Sequence, residues 1–165
     1  RMANELSFQV ADTNKILKGL SNLMDVEYSL RRFRSSMTYS NRLLNYRDVD
    51  VDGIGKYVIR AVVNVGDCYF EEGKFSAAYD EYEKAIEEAD RFGMEERKAL
   101  PLYNMAWVRI EQKKTVEAGI LINKGFKIAD KHGLNGTKKQ ICEASNYLKY
   151  QLKYTGSLPS ICETY

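Results

Sequence analysis

The sequence predicts an all-α fold built as a stack of helical hairpins, and three observations predict it. The first is the stretch Val62-Val63-Asn64-Val65-Gly66-Asp67-Cys68-Tyr69, followed by Gly73-Lys74 and by Ala78, Tyr82, Ala85 and Ala89. Small and large residues alternate at helical spacing on both sides of a glycine break, as two closely packed antiparallel helices require. The second is recurrence forty positions on, where Asn64 falls on Asn104, Gly66 on Ala106, Gly73-Lys74 on Lys113-Lys114, Ala78 on Ala118, Ala85 on Gly125 and Ala89 on Ala129. The third is that the unit's end recurs too: Arg91-Phe92-Gly93-Met94 falls on Lys131-His132-Gly133-Leu134. A fixed period in the range of about 20–50 residues marks stacked units that cannot bury their apolar faces alone.

Residues 3–24 read as a helix with Leu6, Val10, Ile16, Leu17, Leu20 and Leu23 near one face, and Asp12-Thr13-Asn14 as a polar interruption that could divide it. Asp25 is expected to cap a second helix over about 26–47, with Leu30, Phe33, Met37, Leu43 and Leu44 inward. Its Ser29, Ser36 and Ser40, with Phe33 between, match Ala78, Ala85, Ala89 and Tyr82 at an offset of forty-nine, so 3–48 reads as a degenerate first repeat. Arg47–Gly53 then reads as an inter-repeat loop. Counted from Asp48 it has an EF-hand glycine in sixth place, but the twelfth is Ile59 rather than the required glutamate.

Two clearer repeats follow, over 54–93 and 94–133. The helix 54–72 carries Ile54, Val58, Ala61, Val62, Val65 and Tyr69 on one stripe; its partner, 75–92, ends at Gly93 as a C-cap. Pro101 is expected in the first turns of the next helix, where a missing N–H costs little. The helix 115–132 is apolar on most sides, which predicts burial on more than one face. A helix over 137–154 is expected to cap the stack, with Gly156-Ser157-Leu158-Pro159 breaking it.

The composition excludes several classes. Of 165 residues 44% are hydrophobic and 29% charged, an ordinary globular mixture. A net charge of +2 makes no general case for nucleic acid or an anionic membrane, and no apolar run approaches a spanning helix. Arg31, Arg32, Arg34 and Arg42 form a basic cluster without a helix-turn-helix around it, and read as a solvated face. Three widely spaced cysteines do not read as a disulfide framework, and no signal-peptide pattern is present, so a reducing cytoplasm is expected, with Cys68 a core residue. Arg1-Met2 falls within a helical pattern, so the sequence is expected to be part of a longer protein. His132 is the only histidine and sits at a helix end; no nucleophile–histidine set, zinc spacing, di-iron pattern or phosphate loop stands out. The expectation is a non-enzymatic chain without cofactor or metal.

The second unit, Val62-x2-Val65-Gly66-x2-Tyr69 with Ala78-x3-Tyr82, resembles the tetratricopeptide repeat, and the third, Leu102-x2-Met105-Ala106 with Ala118-x3-Ile122, is a more degenerate copy carrying Arg109 at the Tyr position. Asp90 and Asp130 stand where that family closes on proline. The resemblance implies a right-handed solenoid of about three hairpins plus a C-terminal capping helix. It also implies that the first helix of each hairpin lines a concave, ligand-binding face. There Asn64 and Asn104 would lie side by side and grip an extended peptide through amides that both donate and accept. Arg60, one turn earlier, would pair with a carboxylate, and Asp67, Trp107, Glu111 and Gln140 fall on related faces. Leu100 replaces the second basic residue that a carboxylate clamp needs, which argues against a chaperone adaptor. More distantly, the long repeats resemble bacterial Rap- and PlcR-like peptide receptors. That implies a peptide or protein partner, no direct nucleic-acid contact from this segment and no membrane. The alternatives are a scaffold or homo-oligomerisation module, and the sensory part of a larger signalling enzyme or DNA-binding regulator.

Overall fold

The computed structural model describes residues 2–160 and 162, with side chains from residue 12 onward, so the expected inward positions Leu6 and Val10 lie outside the described side chains. Among these residues every regular element is helical. Helices α1 (Met2–Ser29) and α2 (Phe33–Leu44) form a first hairpin, α3 (Ile54–Glu71) and α4 (Phe75–Arg91) a second, and α5 (Ala99–Glu111) and α6 (Thr115–Lys131) a third. A 3₁₀ turn, Glu95–Lys98, leads into α5, and α7 (Asn135–Asn146) continues as a π-helical turn over Tyr147–Gln151. Each helix packs on its neighbours in sequence, and α3 and α5 also meet α1 and α7 respectively. Pro101 is buried as the third residue of α5, where no intrahelical donor is lost.

The repeat is written most plainly in the backbone. Gly53, Gly93 and Gly133 each hold a left-handed φ (72°, 64° and 65°) between hairpins. Within hairpins the left-handed positions are Arg31, Gly73, Lys113 and Lys153 (57°, 72°, 59° and 54°). The first interval in that series is forty-two residues and the next two are forty. The first repeat therefore pairs at forty-two rather than forty-nine, with Phe33 opposite Phe75 and Ser36 opposite Ala78 as α2 and α4 begin. The expected second helix over 26–47 is corrected accordingly. Val26-Glu27-Tyr28-Ser29 contains no helix breaker, so α1 runs through it; the turn forms at Arg31, whose N–H donates to the Tyr28 carbonyl at 2.8 Å. Asp25 caps nothing and pairs with Arg60 instead. Nor does Asp12-Thr13-Asn14 divide α1.

Helix α6 packs on both α5 and α7, as its apolar sides predict, and leaves Val116 and Ile120 at 62% and 50% exposure. The expectation for the cysteines is overturned. Cys142 and Cys162 are bonded, with Cα atoms 4.8 Å apart. Their separation of twenty residues concealed the pairing, because α7 and the returning tail bring together what the sequence keeps apart. Bonded cysteines belong to oxidising compartments more than to a reducing cytosol, so the cysteine argument for a cytoplasmic setting falls. Among the described residues no helix is long and apolar enough to cross a membrane. The tail folds back against α6 and α7. Tyr154 lies against Gly119, and Asn123 Nδ2 donates to the Ser157 carbonyl at 2.7 Å.

Helices α3 and α4 meet closely where Gly66 lies on Tyr82. A β-carbon at Gly66 would stand 2.6 Å from the Tyr82 ring, which is itself 1% exposed. In the third hairpin the same pair is Ala106 and Ile122, both fully buried: a smaller apolar partner admits the extra methyl. Gly66→Ala is therefore expected to destabilise the protein by ~1–2 kcal/mol, since overpacking a closed contact against a rigid ring costs up to about 3 kcal/mol and alanine's better helix propensity returns about 1. Urea denaturation measures it; a loss under about 0.5 kcal/mol would show that the ring has room to yield.

Candidate functional site

Helices α3, α5 and α7 are the first helices of successive units, and their shared face is a groove. A cavity of about 540 Å³ opens there, lined by Asp67, Asn104, Trp107, Glu111 and Gln140 among others. Thus five of the seven residues expected on the concave face meet in one cavity. Asp67 is half-buried at its floor. Its Oδ1 accepts a hydrogen bond from the Tyr82 hydroxyl at 2.7 Å and another from Asn104 Nδ2 at 2.9 Å. The ring that Gly66 admits thus reaches through the hairpin to hold a carboxylate in the groove, and that carboxylate holds the amide of the next unit.

Aromatic rings wall the cavity. Trp107 meets Tyr103 edge-on at 6.4 Å and Tyr147 at 5.3 Å between ring centroids, so its expected groove position is reinforced by neighbours from α5 and the π turn. Tyr28, Phe70 and Tyr103 also line the cavity and escaped the sequence reading. Tyr28 and Phe70 are counterparts at the forty-two-residue interval, each three residues before a left-handed turn, so correct register in the first repeat reveals them.

Asn64 is different from Asn104 despite its equivalent place. It is 5% exposed, and its side-chain carbonyl accepts from the Ser36 and Ser40 hydroxyls at 2.8 and 2.9 Å. The expectation that Asn64 lies open beside Asn104 is corrected, and the cause is the preceding hairpin. Helix α2 offers two hydroxyls where α4 offers Ala78, which has no donor, and Tyr82, whose hydroxyl goes to Asp67. Asn64 is thereby drawn inward, while Asn104 turns to the groove. Arg60 is exposed, pairs with Asp25, and lines a neighbouring cavity of about 520 Å³. Its forty-residue counterparts Leu100 and Gln140 both line the aromatic cavity, and Leu100 lines the two.

Other singled-out residues have structural partners. Asp48 of the loop pairs with Arg91, whose guanidinium holds its carboxyl below the usual range. Arg109, at the tyrosine place of the third repeat, stacks 3.7 Å over the Tyr79 ring and pairs with Glu117 at 2.8 Å. His132 meets Glu95 at 3.2 Å. Buried Cys68 has its thiol pushed up to about 11 by burial. Among the described residues no group of three or more metal-ligating side chains converges.

Desolvation raises the Asp67 pKa to about 6, against the opposing effect of the Tyr82 and Asn104 hydrogen bonds. The folded protein thus holds this proton more tightly than the unfolded chain. Its stabilising contribution is complete below about pH 4 and is lost as pH rises through about 6. Asp67→Asn keeps the acceptor for both donors without the charge. The stability of the variant relative to the parent is expected to climb between pH 4 and pH 7 by up to roughly 3 kcal/mol, then level off. Urea titrations across that range measure it, and a pH-independent difference would show that Asp67 titrates normally.

No known protein family matches this sequence, and neither does any curated protein. Solved structures do resemble it. The apo form of RapI superposes with a TM-score of 0.73 at 16% identity, over 84% of this chain and 50% of that one. BtubC from P. vanneervenii superposes with a TM-score of 0.67 at 16% identity, over 89% of this chain and 66% of that one. The chain thus spans half the length of RapI. At such identity the likeness is one of fold: an all-α stack of helical repeats.

Proposed function

We propose that the chain is a peptide-recognition module that acts by binding rather than by catalysis, and that its ligand lies in the groove across α3, α5 and α7. One observation carries the reading: Asp67, Asn104, Trp107, Glu111 and Gln140, drawn from three successive first helices, converge on a single open cavity. Side chains from different repeats on one concave face are how solenoids contact an extended ligand. The cavity's chemistry suits a basic peptide residue. Asp67, Glu71 and Glu111 supply carboxylates, of which Arg31 balances Glu71 at 3.1 Å, and Trp107 and Tyr103 supply ring faces that attract a cation. Asn104 gives one amide proton to Asp67 and keeps a second proton and its carbonyl for a peptide backbone.

The likeness to RapI supports this reading and agrees with the resemblance to Rap-like receptors in the repeats. A sensory role within a longer signalling protein belongs to the same proposal. Affinity selection from a synthetic library of random hexapeptides, read by mass spectrometry, tests it. Binders with micromolar affinity are expected, enriched in Lys or Arg and weakened at least tenfold by Trp107→Ala or Asn104→Ala. A library that yields no binder, or binders indifferent to both substitutions, would contradict the reading.

A further inference from the structure

The groove has a second end of opposite charge. Beyond Leu100, Lys56 and Arg60 of α3 and Arg97 of the 3₁₀ turn line the cavity of about 520 Å³. The same three line an adjoining cavity of about 280 Å³, to which α1 adds Lys18. All four basic residues are exposed. Two carboxylates oppose them: Asp25, paired with Arg60, and Glu96, 3.9 Å from Arg97. Lys56 lies over the Tyr57 ring at 4.9 Å, which leaves its charge uncancelled. The basic end therefore keeps an excess of positive charge, as the far end keeps an excess of negative charge on Asp67 and Glu111.

Helix stability does not explain this arrangement; it opposes it. Lys56 is in the first turn of α3 and Glu71 is its last residue, while Arg97 precedes α5 and Glu111 ends it. Cations are disfavoured at helix N-termini and anions at C-termini. Helix α3 bears the unfavourable order uncompensated, on the face that forms the groove, whereas α5 offsets Arg97 with Glu95 and Glu96 before its first turn and Glu111 with Arg109 in its last.

We propose that the basic end is a second subsite, which takes an oxyanion of the ligand while the aromatic, acidic cavity takes its cation. The groove then selects a peptide carrying opposite charges in a fixed order and binds it in one direction. This rests on the peptide reading above and adds the ligand's charge pattern. The spacing follows from α3. Arg60 precedes Asp67 by seven residues and Glu71 by eleven, or ~10 and ~16 Å at 1.5 Å per residue. An extended chain covers that in about three to five residues. The oxyanion is an acidic side chain or a free C-terminal carboxylate, which share the chemistry that Lys and Arg recognise.

Hexapeptides selected on the parent protein test this. They are expected to pair a Lys or Arg with an acidic residue or a free C-terminus three to five positions away. Their affinity is expected to fall at least tenfold in the double variant Lys56→Ser with Arg97→Ser, and to rise in Glu96→Gln, which removes a competing carboxylate. Amidating the C-terminus tells a terminal carboxylate from an acidic side chain, and either satisfies the subsite. Peptides that lack an anion, or that bind both variants as tightly as the parent while still failing on Asn104→Ala, would overturn the second subsite alone. A library without binders would remove the peptide reading and this inference together.

Discussion

The contact of Tyr82 with Gly66 joins the core to the groove. A glycine in mid-helix costs about 1 kcal/mol against alanine, so its presence in α3 needs a compensating gain. That gain is a fully buried tyrosine ring and a hydroxyl delivered 2.7 Å from Asp67. Because Asp67 also accepts from Asn104, the close packing of one hairpin sets the position of a side chain in the next. The third hairpin buries Ala106 and Ile122 fully at the same places and carries no hydroxyl there. The buried hydroxyl that reaches the groove thus comes from one repeat alone, the second.

The same economy explains why equivalent asparagines have different fates. Asn64 and Asn104 share a place in their helices, but each reads the second helix of the preceding hairpin. Ser36 and Ser40 satisfy Asn64 within the core, where an unpaired amide would cost several kcal/mol, whereas α4 leaves Asn104 to Asp67 and the groove. In a solenoid the environment of a position is set by the neighbouring unit as much as by its own.

That dependence also marks what the sequence discloses. The forty-residue recurrence of glycines and alanines made the second and third hairpins legible to within a residue or two, because helix packing and left-handed turns constrain residue type directly. Asn104, Asp67, Trp107, Glu111 and Gln140 were legible as a face for the same reason. The first repeat was misplaced because three serines match a row of alanines at forty-nine while the turns recur at forty-two, and because Arg31 makes a left-handed turn that glycine usually announces. The inward turn of Asn64 and the Cys142–Cys162 bond depend on contacts between segments twenty or more residues apart, which no local pattern encodes.

The central claim is that Tyr82 and Asp67 act as a unit linking core to groove. A double-mutant cycle of Tyr82→Phe and Asp67→Ala, each of which removes one partner of the bond, read by urea denaturation at pH 7, tests it most directly. A hydrogen bond from a buried hydroxyl to a carboxylate predicts a coupling energy of about 1–3 kcal/mol. Effects that add to within about 0.3 kcal/mol would contradict the account, because the tyrosine would then fill space without holding the groove.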